Sequence, residues 1–318
     1  MPEMSVKEQL HHFPDDLGKA LRYKIDKIDC DCILLCGMGG SAISGSIVAD
    51  FFIKTSGIPL ITVKNFGVPK WANNRTLAIV SSYSGNTMET LGMYSTARER
   101  GCKIIAITSG GILQERCEKD GYKVIPLPKN MQPRHSVGYM IGYTMAIMKA
   151  CGLKLHVDIC KVVKSLKEYR DYLESEDGSK LIERFVASLS DTVPAVVTSD
   201  SMQSVAFRWK TQINENTKFV AFCGSFSEYD CSIICNWAEK FDRNMTLVTI
   251  GRFDGERFGS VHDKHINVDT GSEDLIESSL RTVMFGDYLS MRMAESRHVN
   301  PEEVEPIVCL KNLLKKIS

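Results

Sequence analysis

Short apolar runs recur through the first half of the chain, with Thr62 the single polar residue inside them: Ile33–Cys36, Leu60–Val63, Leu77–Val80, Ile104–Ile107 and Val124–Leu127. A strand with one wet face alternates apolar and polar side chains. A continuous run belongs to a strand buried on both faces. Between several of these runs lie stretches with helical spacing. Ile43, Ile47 and Phe51 share one face after the first run, and Met88–Arg100 follows the third. A strand–helix–strand rhythm of this kind folds as a parallel α/β sheet with right-handed crossovers.

Past the fifth run, Ser136–Cys151 reads as a strongly apolar helix ended by Gly152. Its Met and aromatic content marks a buried packing helix rather than a ligand surface. Val157–Glu174 reads as a charged helical bridge, with Ile159, Val162, Leu166 and Tyr169 as its apolar positions. The second half repeats the plan in order, though not in identity. A strand at Ala195–Thr198 leads into the polar loop Ser199–Ser204 and a helix over Val205–Gln212. Further strands are expected at Phe219–Phe222, Met245–Ile250 and His265–Val268, and closing helices at Leu275–Ala294 and Val304–Ile317. With 318 residues the chain is long enough for two domains, placed at 1–153 and 154–318.

Lys+Arg and Asp+Glu both number 39, so no net charge draws the chain to nucleic acid or to an anionic membrane. Any anion must be gripped locally. No apolar run approaches the roughly 18–20 residues of a membrane span, and the first ten residues lack a signal-peptide core. The 11 cysteines are odd in number and scattered, several within apolar runs, which suits reduced core thiols in a cytoplasmic protein.

Two loops carry the chemistry. The first, Cys36-Gly37-Met38-Gly39-Gly40-Ser41, leaves a buried strand and enters a helix. Its glycines let backbone N–H groups approach an anion, and Ser41 adds a hydroxyl. The third glycine of a dinucleotide-binding G-x-G-x-x-G is not in its place. The second loop, Ser81-Ser82-Tyr83-Ser84-Gly85-Asn86-Thr87, sets the hydroxyls of Ser82, Ser84 and Thr87 around a glycine at a helix start, where the helix dipole favours a phosphate dianion. Asn86 followed by Glu89 also fits N-capping of that helix.

The stretch Ser82–Thr87 resembles the phosphate loop of the sugar isomerase (SIS) fold. Gly37–Ser41, Val63–Phe66, Ile107–Gly111, Gln132-Pro133-Arg134 and Arg208–Lys218 extend the match in order. Together they resemble the bifunctional phosphoglucose/phosphomannose isomerases. The resemblance implies an α/β fold of two SIS domains, each a parallel sheet flanked by helices in three layers (α/β/α), and a homodimer working without metal or cofactor. It implies interconversion of glucose 6-phosphate, and of mannose 6-phosphate in the bifunctional members, with fructose 6-phosphate in sugar metabolism. Carried onto matching positions, Gly40, Ser41, Ser82, Ser84 and Thr87 would hold the substrate phosphate, and Glu215 would be the base. Arg134 would stabilise the enediolate, and Lys311 would assist ring opening.

One departure bears on ring opening. Where the family carries a histidine in a Glu-Leu-Asn-His-Asn stretch, this chain reads Glu228-Tyr229-Asp230-Cys231-Ser232. A thiol is a poorer hydrogen-bond donor than imidazole. His135, His298, Asp230 or Lys311 could take the place of the histidine, or the chain could be a sugar-phosphate-binding protein of weak or no activity. The family's Asp-Pro-Thr-Pro stretch, tied to the mannose reaction, reads Asn300-Pro301-Glu302-Glu303. The pair His262 and His265 reads as structural rather than as a metal site.

Overall fold

The computed structural model describes residues 4–228, 244–251, 264–303 and 305. The chain divides into two compact units, Met1–Lys167 and Glu168–Ser318. Among the described residues, no helix is long and apolar enough to cross a membrane.

The first unit opens with α1 (Val6–His11) and α2 (Phe13–Leu21). Its sheet is built from β1 (Cys32–Gly37), β2 (Leu60–Val63), β3 (Thr76–Ser81), β4 (Lys103–Thr108) and β5 (Lys123–Pro126), in the order β2-β1-β3-β4-β5 with every pairing parallel. The crossovers are α3 (Gly39–Phe52), α4 (Met88–Glu99) and α5 (Gly111–Lys119), and α6 (Val137–Ala150) follows β5. The continuous apolar runs are these strands, and β1 and β3 are buried along their whole length.

Each face of this sheet is covered. Leu34, Cys36, Ala78, Val80 and Ala106 join one core cluster with Leu91, Tyr94, Leu113 and Cys117 of α4 and α5. Gly45 of α3 approaches the Leu35 side chain on the other face, where a Cβ at Gly45 would lie 3.2 Å from the Leu35 Cβ. α6 packs on α3 and on α2. Its end is a Schellman motif: Leu153 N–H donates to the Met148 carbonyl at 3.1 Å and Gly152 N–H to that of Lys149 at 3.0 Å, with Gly152 left-handed at φ 87.

α7 (Ile159–Glu174) contains the division between the units, and α8 (Glu176–Leu189) follows it. The second unit pairs β6 (Val193–Thr198), β7 (Phe222–Ser225), β8 (Met245–Ile250) and β9 (His265–Val268) in the parallel order β7-β6-β8-β9. α9 (Gln203–Thr217) follows β6, the single turn α10 (Phe226–Glu228) follows β7, and α11 (Leu275–Ser296) packs on α8 and α9. The strand expected at Phe219–Phe222 lies instead at Phe222–Ser225. Val220 is exposed, and the Phe219 ring lies under the Arg297 guanidinium at 4.1 Å, outside the sheet. The described cysteines are free, and those of β1, Cys32 and Cys36, are buried.

Candidate active site

At the carboxyl end of β1 the chain turns where a side chain has no room. A Cβ on Gly37 would lie 3.0 Å from the Ser81 carbonyl and 3.2 Å from the Ala42 nitrogen. Gly39 is left-handed at φ 52, and α3 starts there with no side-chain cap from Met38. Its first N–H groups are thus not covered by a capping side chain at the positive end of the helix dipole. Ser41, on this first turn, is buried. Gly40 lies against a third segment: a Cβ there would be 3.4 Å from both the Arg134 Cα and the Pro133 carbonyl oxygen.

That third segment is tightly wound ahead of α6. His135 and Ser136 N–H groups donate to the Gln132 carbonyl, and the Ser136 hydroxyl donates to the Pro133 carbonyl at 2.8 Å. Arg134 is buried, with Nη1 donating to Gln132 Oε1 at 3.2 Å. The Gln132 N–H donates to Gln9 Oε1 at 2.9 Å, which anchors the turn to α1.

The second loop leaves β3 beside the first, since Gly37 and Ser81 are register partners in the sheet. The Ser82 hydroxyl donates to Thr87 Oγ1 at 3.3 Å and accepts from the Gly85 N–H at 3.2 Å. The Asn86 N–H donates to Ser84 Oγ at 3.3 Å. Thr87 is the N-cap of α4 and makes no side-chain capping bond. The Asn86–Glu89 cap expected from the sequence is not formed: Asn86 Oδ1 accepts from the Ile112 N–H at 3.1 Å instead. Two glycines permit this interlock. A Cβ on Gly85, left-handed at φ 66, would fall 1.8 Å from the Gly110 carbonyl oxygen, and one on Gly111 would fall 2.4 Å from that of Ser84.

Tyr83 ties the second loop to the segment before Arg134. Its hydroxyl donates to the Pro128 carbonyl at 2.9 Å and accepts from the Met131 N–H at 2.7 Å. Burial pushes its pKa up, so the phenol keeps the proton this bridge uses.

Glu215 belongs to the second unit, near the end of α9 and half-buried. The helix stops at Lys218, left-handed at φ 53, whose ammonium donates to the Glu215 carbonyl at 2.7 Å. The next chain segment is pinned by Asn214, whose Oδ1 accepts from the Ala221 N–H at 3.0 Å. Two turns earlier on α9, Arg208 Nη2 donates to Asp287 Oδ2 of α11 at 2.6 Å.

Comparison with known proteins places this geometry. Residues 180–314 match the family model described as the bacterial phospho-glucose isomerase C-terminal SIS domain. A bifunctional phosphoglucose/phosphomannose isomerase from Caldicellulosiruptor bescii is 32% identical, over 98% of this chain and 99% of its own length. The chain belongs to the bifunctional phosphoglucose/phosphomannose isomerase family. Among solved structures, a hypothetical protein from Thermus thermophilus superposes with a TM-score of 0.76 at 15% identity, covering 98% of this chain and 90% of its own. Glucosamine-6-phosphate deaminase from Thermotoga maritima gives 0.73 at 17%, covering 93% and 96%. At such identities they show the fold, and it is the SIS arrangement of two parallel sheets flanked by helices.

Within this member of the isomerase family, the first unit brings together Gly40, Ser41, Ser82, Ser84, Thr87 and Arg134 at the carboxyl ends of β1 and β3 and the turn before α6. Glu215 stands on α9 of the second unit. Cys231, Asp230, Lys311 and His262 lie outside the described residues. His135 is buried beside Arg134, and His298 is left-handed at φ 55 just past α11. His265 shares a hydrogen bond with the Thr249 hydroxyl at 2.8 Å, and burial lowers its pKa. Sequence reasoning gave Tyr83 no role, and gave Asn86 a capping role rather than the bond it makes to Ile112. A tyrosine inside a hydroxyl-rich loop was the available signal, because its phenol needs a partner when buried.

Proposed function

We propose that this protein interconverts glucose 6-phosphate and mannose 6-phosphate with fructose 6-phosphate through an enediolate. The observation that carries the reading is the joining of two hydroxyl-lined helix starts and a buried arginine in one unit of a chain that aligns with a family member over 98% of its residues. In this reading the phosphate dianion rests on the first turns of α3 and α4. Backbone N–H groups there and the hydroxyls of Ser41, Ser82, Ser84 and Thr87 donate to its oxygens. Because the loops are held by backbone bonds and glycine contacts, they are organised before the ligand arrives, which reduces the ordering cost of binding.

The Glu215 carboxylate then removes the proton beside the carbonyl carbon and returns it to the neighbouring carbon. Negative charge gathers on oxygen in between, and the Arg134 guanidinium neutralises it in a partly dehydrated place. Lys311 assists ring opening, and Cys231 stands where the family has its histidine. Proton shuttling by a carboxylate needs no redox group, so the reading calls for no cofactor. Family membership also supports a homodimer, a place in glycolysis and gluconeogenesis, and a cytoplasmic location. The test is a coupled assay with fructose 6-phosphate. Glucose 6-phosphate forming well above blank is the expected result, and none above blank overturns the reading.

A further inference from the structure

We infer that the buried Arg208–Asp287 pair is a positioning device for Glu215: it sets the register of α9 along α11 and so the place of the carboxylate. The inference rests on Glu215 being the base. Arg208 and Asp287 are 1% and 3% exposed, and the guanidinium meets the carboxylate at 2.6 Å. The other carboxylate oxygen accepts from Gln212 Nε2 at 3.0 Å, and one turn later Asn216 Nδ2 donates to Ser290 Oγ at 2.9 Å. Arg208, Gln212 and Asn216 follow one another at four-residue spacing, so they line one stripe of α9. Glu215 sits three residues after Gln212, at the edge of that stripe.

A buried ion pair is a poor source of stability, because apolar residues of similar volume do as well or better. What the pair supplies is a unique alignment. Sliding α9 by one turn, about 5.4 Å, would strand a carboxylate and a guanidinium in a dry seam. A steric key reinforces it: Trp209 Nε1 donates to the Thr282 carbonyl at 2.9 Å, and a Cβ on Gly286 would lie 2.3 Å from that nitrogen. Proton transfer punishes small displacements, and a 1 Å error costs about 10²-fold in rate. A register lock two turns before the base is therefore matched to what the chemistry needs.

The test compares Arg208→Met, the double variant Arg208→Met/Asp287→Leu, and Asp287→Asn in the full chain. Arg208→Met leaves a buried carboxylate without its guanidinium, so its melting temperature falls. The double variant recovers part of the melting temperature, the Gln212 amide having lost its acceptor, yet its kcat stays about tenfold or more below wild type with KM for fructose 6-phosphate unchanged. Asp287→Asn, which keeps the shape, supplies the same readout if the double variant does not fold, with the same split between kcat and KM. Wild-type kcat in a folded variant of either kind overturns the inference, as does a kcat that returns together with the melting temperature. Glu215→Gln is measured in parallel. If it turns over normally, the base assignment has failed; if it is inactive while the double variant runs at full rate, only the positioning inference has.

Discussion

The two units hold their candidate residues by opposite means. In the first, the phosphate loops are fixed by bonds and contacts that end on main chain: Gly85 under the Gly110 carbonyl, Gly111 under Ser84, Leu113 N–H on the Gly85 carbonyl at 2.9 Å, with Tyr83 and Asn86 also bonding to backbone groups. In the second, α9 is fixed by buried side chains, Arg208, Gln212 and Asn216 against Asp287 and Ser290. A backbone-built site tolerates changes of side-chain chemistry and fails when a Cβ is added. A site carried on a helix tolerates no change at its one reacting group, while its fold survives that change.

The largest effect expected from this contrast is in the second unit. Glu215→Gln lowers kcat by about 10³-fold or more while the melting temperature and sugar-phosphate affinity stay near wild type. A large fall in melting temperature instead would erase the distinction between the units. Next comes Gly85→Ala, which forces a methyl group into the Gly110 carbonyl at a left-handed position. It costs on the order of 3 kcal/mol in urea unfolding and weakens substrate binding at the same time. An alanine variant with wild-type stability would show that the loop is not held by backbone contact.

Removing hydroxyls sharpens the comparison with a smaller effect. Ser84→Ala, at an exposed position, raises KM by about threefold to tenfold with kcat unchanged, roughly the net worth of one ordinary hydrogen bond. Equal loss in kcat and kcat/KM would place Ser84 at the reacting carbons rather than at the phosphate.

An effect on stability alone, of similar size, concerns the first unit's own buried carboxylate. Asp16, 4% exposed, accepts a hydrogen bond from Tyr139 and has its nearest ion-pair partner, Lys19, at 3.9 Å. Burial pushes its pKa from 3.8 to about 6. The folded state therefore holds this proton more tightly than the unfolded state. The group favours folding most below pH 3.8, and that advantage is lost as pH rises through 6. Asp16→Asn does not titrate, so its stability relative to wild type rises by on the order of 1–2 kcal/mol between pH 4 and pH 7.5. Unfolding midpoints that differ by the same amount at both values would contradict this.

Much of the sheet was legible because a strand buried on both faces has nowhere to put a polar residue. All five expected strands of the first unit lie within one residue of their observed limits. β7 was not legible: Phe-Cys-Gly-Ser carries little strand signal, and the stronger Phe219-Val220 pair lies outside it. α8 carried a usable signal in Ser175, whose side chain caps the Gly178 N–H, although Gly178 itself disguised the helix. α1 and α2 were not expected either, although the Ser5–Glu8 capping box and the spacing of Val6, Leu10, Phe13 and Leu17 offered the same kind of signal. In the site, glycine and hydroxyl motifs show in sequence because they are local. The Tyr83 bridge to Pro128 and Met131 and the Arg208–Asp287 pair do not, since their partners are distant along the chain.

The parallel strand order sets a timetable for synthesis. In each sheet the strand made first is an interior one: β1 acquires both neighbours, β2 and β3, only after it has been made, and β6 likewise waits for β7 and β8. On the ribosome, Cys-Ile-Leu-Leu-Cys emerges with both edges open; the β2 edge can close once Val63 has been added, and the β3 edge only after Ser81. Such a segment is prone to pair with another nascent chain, and parallel topologies form slowly. Sheltering of this strand during translation thus becomes a demand on the cell that the stability of the finished molecule does not meet.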